Sequence, residues 1–138
     1  MNNQENGFTV LSFIFFCVIC FVIIMVVASA YGSGQRLDRD TRRITDVSMI
    51  NTALKSFYQD NGFYPQQESD GIPKGIRDYI SFWPQAPTPA DGSCTKDTNQ
   101  YNYNYLNSGN NFSLTFCLGK TTKNIKGGLR TINPIGIK

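Results

Sequence analysis

The chain has 138 residues, a mild formal charge of +3 and no histidine. Without imidazole, most acid–base, Cys–His and Ser–His chemistry and the commonest metal ligand are missing, so no enzyme, cofactor or metal site is expected. The thirteen basic residues form no face-long patch in the linear sequence, which argues against nucleic acid as the main partner.

Gly7-Phe8-Thr9-Val10-Leu11 opens an uncharged apolar run from Phe8 to Ala30. Its 23 residues would reach about 34 Å as a helix, enough for a hydrocarbon core of about 30 Å. About 100 residues remain for one small domain. Cys17 and Cys20 lie inside the run, three apart and so on one helical face. They read as small packing residues in a lipid or helix–helix interface; a redox Cys-x-x-Cys is the other reading, with no βαβ pattern around it. A removable secretory signal is an alternative for the whole run, because Ala28-Ser29-Ala30 resembles a cleavage site. The first seven residues, however, contain no Lys or Arg, and the run is long for a signal. Orientation is contested. Arg36, Arg39, Arg42 and Arg43 lie just after the run, and by the positive-inside rule they place the C-terminal remainder of the chain in the cytoplasm.

Residues 31–62 read as an amphipathic helix. Leu37, Ile44, Val47, Ile50, Leu54, Phe57 and Tyr58 recur at spacings of three, four or seven, the stripe of a helix laid against a core. Arg39, Arg42, Arg43 and Asp46 are assigned to its other faces. Tyr31-Gly32-Ser33-Gly34 is its weakest stretch, where two glycines at about 1 kcal/mol each relative to alanine predict a bend or local melting. Asp60-Asn61-Gly62 and then Pro65 end the helix.

Residues 63–100 read as a loop region in which Ile76–Trp83 forms a short helix or turn and Pro84, Pro87 and Pro89 forbid regular structure. Residues 101–138 read as an antiparallel sheet. Tyr101, Tyr103 and Tyr105 alternate with Asn102 and Asn104; Asn107–Asn111 is a turn; Phe112, Leu114, Phe116 and Leu118 alternate with Ser113, Thr115 and Cys117. That is a hairpin with one aromatic face, directed at the stripe from Leu37 to Tyr58, with Gly128–Ile132 as a third strand. The tyrosines read as core residues or, alternatively, as a stacking platform for sugars or bases. Cys94 and Cys117 form the one plausible structural disulfide, implying an extracytoplasmic head. Closing that loop would contribute about 3 kcal/mol; two free thiols in a cytosolic domain is the competing reading. The stretch from Lys120 to Lys138 has no Asp or Glu, so a calcium loop there is not expected.

Gly7-Phe8-Thr9-Val10-Leu11 before an apolar helix resembles the prepilin cleavage motif of type IV pilins and type II secretion pseudopilins. The segment from Ile50 to Pro65, with Tyr58, Gly62 and Tyr64-Pro65, is similar to the end of the long helix in those families. The resemblance implies an α+β, type IV pilin-like fold, a long N-terminal helix packed on a small antiparallel sheet. It also implies a leader peptide (residues 1–7) removed between Gly7 and Phe8 by a prepilin peptidase, with methylation of the new amine. Phe8, Thr9, Val10, Leu11, Ser12 and Phe13 would then enter a filament core (apolar segment 8–30). Partners would be copies of the chain itself, an assembly ATPase and a platform protein. The precursor would sit in the cytoplasmic membrane and the product in a surface filament for adhesion, motility or DNA uptake. The chain departs from the family pattern at Ser12, where a glutamate is usual. A serine that only accepts a hydrogen bond, a minor or tip position in the fibre, and an uncut leader are the three resolutions. A secretion or DNA-uptake pseudopilin and a single-pass receptor with an external binding head are the alternative functions.

Overall fold

The computed structural model describes residues 10–138. Helix α1 runs Val10–Asn61, followed by a 3-10 turn at Ile76–Asp78. Four strands complete the chain: β1 (Asn102–Leu106), β2 (Asn111–Leu118), β3 (Gly128–Asn133) and β4 (Gly136–Ile137), with a second 3-10 turn at Asn107–Gly109. The chain divides into two compact units, one ending at Gln35 and the other running Arg36–Lys138.

Residues 31–34 are α-helical, so the expected melting at Gly32 and Gly34 does not occur. The propensity cost of two glycines is small against an established hydrogen-bond ladder. The Ser33 hydroxyl donates back to the Ser29 carbonyl at 3.1 Å. The helix stops where Gly62 takes a left-handed φ of 77° and its N–H closes on the Tyr58 carbonyl at 2.8 Å. A side chain with a Cβ is strained at that φ, which is why glycine ends this helix.

The second unit is a four-stranded antiparallel meander in the order β1-β2-β3-β4, behind the C-terminal part of α1. The β1–β2 hairpin pairs Tyr103 with Leu114 and Tyr105 with Phe112; β2–β3 pairs Leu114 with Ile132 and Cys117 with Leu129. Period-two alternation sends Tyr103, Phe112, Leu114, Phe116 and Leu118 to one face, all of them buried, in one cluster with Val47, Ile50, Ala53, Leu54 and Phe57 of the helix. Phe112 sits at the centre of an aromatic set, 4.7 Å from Tyr64 edge-on and 6.0 Å from Tyr103. Edge-to-face and offset rings bury much apolar area and also align quadrupoles. The tyrosines are therefore core residues, with the Tyr103 hydroxyl satisfied by the Pro65 carbonyl at 2.6 Å.

Two members of the expected stripe lie outside this core. Leu37 is 55% exposed, because the head covers the helix only from about Asp40 onward, one turn further along. Tyr58 is 38% exposed and stacks on Tyr64 at 4.7 Å, at the margin of the core. Ile44 is half-buried against the cluster.

Candidate functional site

Two features of the described residues stand out, each within its own unit. The first is the apolar part of α1. From residue 6 to residue 35 the sequence holds no charged side chain, and the helix is long and apolar enough to cross a membrane. None of its most apolar stretch is buried. Val10 is 76% exposed, Leu11 77% and Phe13 59%; Ser12 lies in the first turn between them. Gly7, Phe8 and Thr9 lie outside the described residues. Cys17 is exposed and Cys20 half-buried, and both are free thiols. The Ser29 hydroxyl donates to the Val26 carbonyl at 2.9 Å. Ser29 and Ser33 thus satisfy their hydroxyls within the helix itself and add little polar cost to an apolar environment.

The second is a buried polar clamp that holds the irregular part of the head. Contrary to the assignment of Arg43 and Asp46 to outer faces, the helix buries Asp40, Arg43 and Asp46 in line with Val47, Ile50 and Leu54. Arg43 is fully buried. Its Nη1 donates to Asp40 Oδ1 at 2.7 Å, its Nε to Asn99 Oδ1 at 3.1 Å and its Nη2 to the Pro87 carbonyl at 3.1 Å. Asp40 accepts in turn from the backbone N–H groups of Gly119 and Lys120, at 2.8 and 2.9 Å. Arg39 Nε reaches Asp91 Oδ2 at 2.6 Å, and Asp91 Oδ1 lies 3.6 Å from Arg43 Nη1. The Tyr101 hydroxyl donates to Asp46 at 2.8 Å.

Every branch of this network begins on the helix and ends on the proline-rich loop, the entry to β1 or the exit of β2. A buried ion is tolerated only when opposite charge and hydrogen bonds replace its water, and Arg43 meets a carboxylate, an amide and a carbonyl. The loop, which has no ladder of its own, takes its position from these contacts. At its centre Gly92 and Gly119 approach so closely that a Cβ on Gly92 would strike the Gly119 carbonyl, and one on Gly119 would strike the Asp91 carboxylate. The Cys94–Cys117 disulfide, with a Cα–Cα distance of 5.7 Å, ties the same loop to β2 covalently. Burial and the hydrogen bond to Asp46 push the Tyr101 phenol well above its usual range; burial, with Tyr105 and Tyr64 nearby, does the same to Tyr103.

The disulfide was an expectation of the sequence, because Cys94 and Cys117 are the two cysteines outside the apolar run. The clamp was not: its partners stand far apart in sequence, and an Asp-x-x-Arg pair on a helix ordinarily signals a solvated face. Among the described residues no cluster of three His, Cys, Asp or Glu side chains could hold a metal ion. Comparisons with protein-family models, curated proteins and solved structures return no match.

Proposed function

We propose that this chain is a structural subunit of a type IV pilus, held in the cytoplasmic membrane as a precursor and then polymerised through its N-terminal helix into a surface filament. One observation carries the reading: the large apolar side chains from Val10 to Val27 all face outward on the same helix, α1, whose later residues form the spine of a disulfide-tied head. Such a surface needs lipid or other copies around it. Outside the bilayer, leaving on the order of 1,000 Å² of this apolar surface in water would cost about 25 kcal/mol per subunit, so helices packed on one another would hold the polymer with no covalent link.

In this reading a prepilin peptidase cuts between Gly7 and Phe8, the new amine is methylated, and an assembly ATPase with its platform protein drives extrusion. Phe8 to Phe13, with Ser12 in place of the usual acid, line the filament core. The disulfide supports an oxidising, extracytoplasmic head and outweighs the four arginines after the apolar run in the choice of orientation. Positive charges near a span bias insertion, whereas a disulfide forms and persists in an oxidising compartment.

Electron microscopy of sheared surface material, with peptide identification, tests the reading. Filaments built mainly of this chain are expected; a protein found only as a detergent-soluble monomer of the membrane overturns it. Intact-mass measurement of the filament protein tests processing separately, and retention of Met1 would refute cleavage after Gly7.

A further inference from the structure

The head carries opposite charge at the two edges of its sheet. Towards the β4 edge, Lys126 and Arg130 flank the half-buried Ile125 and the exposed Ile137, Lys123 lies two residues before Ile125 beside Ile44 and Met49 of the helix, and no acidic residue occurs anywhere from residue 98 to residue 138. The apolar floor deepens into a cleft of about 250 Å³ between the helix and the sheet, reaching Ile44, Val47 and Phe116. At the β1 edge, the exposed turn carrying Glu68 and Asp70 closes through the Gly71 N–H on the Glu68 carbonyl at 3.0 Å. Asp70 lines a hollow with Trp83, Gln100 and Tyr101 at the entry to β1. Phe82, next to Trp83 in the chain, is 65% exposed. Lys74 is the one cation on the same small hairpin, and the turn stays net acidic.

We infer that the β4 edge of one head docks the β1 edge of a second copy, with Lys123 and Lys126 facing Glu68 and Asp70 of that copy and Phe82 seated on the apolar floor around Ile125 and Ile137. Different surfaces meet on the two copies, so the contact is heterologous and can repeat from copy to copy, as a ring or as an open helical array. Exposed charge of this kind adds mainly register and salt sensitivity, whereas the apolar floor supplies area that water would otherwise cover. The inference deepens the filament reading by naming which head surfaces meet, and it rests on that reading only for the supply of neighbouring copies.

The test uses the full chain assembled at low salt and treated with a zero-length carbodiimide, which joins an amine to a carboxylate only when the two touch. Peptide mapping should find interchain links from Lys123 or Lys126 to Glu68 or Asp70. The double variant Lys123→Glu/Lys126→Glu should form at least about tenfold fewer higher oligomers, and combining it with Glu68→Lys/Asp70→Lys should restore them. These side chains are exposed, and an unchanged thermal melt of each variant confirms that folding is intact. Oxidative linking of Cys17 or Cys20 between chains, read in the same samples, reports helix association independently. Helix links without the Lys–acid links overturn the edge pairing alone; Lys–acid links without helix links support the pairing and count against the filament core. Oligomers that ignore the charge reversal, or are not restored by the fourfold variant, also overturn the pairing.

Discussion

The two parts of α1 differ in what is covered: the apolar part is exposed, whereas the later part buries charged and apolar residues together. In the part before Gln35, Phe13, Phe16, Ile19 and Ile23 are exposed and residues 10–35 carry no charge; in the later part, Asp40 and Arg43 lie inside while Met49 is 39% exposed. Hydropathy alone orders neither half. A helical face is covered when something complementary is laid on it, and the head supplies Gly119, Lys120, Asn99 and Pro87 as polar partners for the charged turns. The apolar turns before Gln35 receive no cover from the described residues, and they hold the surface on which the proposed assembly depends.

That contrast can be broken most severely at Asp40. Asp40→Ala leaves the Arg43 guanidinium without its hydrogen-bonded carboxylate, with only Asp91 at 3.6 Å, and two backbone donors without an acceptor. Removing one partner of a buried pair costs about 3–5 kcal/mol, so the head should melt at least about 12 °C lower in thermal unfolding followed by circular dichroism. The second tie to the same loop, tested with Cys94→Ser, should be worth about 3 kcal/mol on the chain-entropy estimate; a denaturant midpoint unchanged from the parent would show that the clamp alone holds the loop. A charge in the other half should act differently. Ile23→Arg is expected to cost about 2.5–3.5 kcal/mol in membrane insertion, read as a lower inserted fraction, and to leave the melt of the head unmoved.

Alkaline pH gives a smaller, graded test. Tyr101 and Tyr103 have phenols pushed upward by burial, so each holds its proton in the folded head after an unfolded chain has released it. Above about pH 10, the usual tyrosine value, the unfolded state binds fewer protons than the native state, and stability falls as pH rises further. Below that value the contribution is fully present. Absorbance at 295 nm should show two of the seven tyrosines ionising only when the head unfolds. The smallest effect is expected at Leu37, where truncation to alanine should change stability by less than about 0.5 kcal/mol. Leu54→Ala, one of the fully buried leucines, should cost about 2–5 kcal/mol.

Leu37 and Leu54 belong to one stripe in the sequence, and their different fates mark how far periodicity reaches. It identifies which helical face turns inward, and here that face is indeed the one with Val47, Ile50, Leu54 and Phe57. It does not say where along the helix the cover begins. Likewise the alternation in residues 101–118 specifies a hairpin and its inner face, and Asn61-Gly62 marks the helix end within a residue. The two-residue strand β4 leaves no comparable pattern, since a pair of residues is too short to show a period.

From its sequence alone this protein had its local order decided: an uncharged helix of membrane length, a helix stop at a left-handed glycine, a β-hairpin, and two cysteines left to pair. These are short-range consequences of side-chain spacing and backbone preference, and they need no knowledge of what lies opposite. Tertiary structure alone decided that Asp40, Arg43 and Asp46 go inside, because burying a charge becomes tolerable only once partners from 44 to 80 positions away replace its hydration.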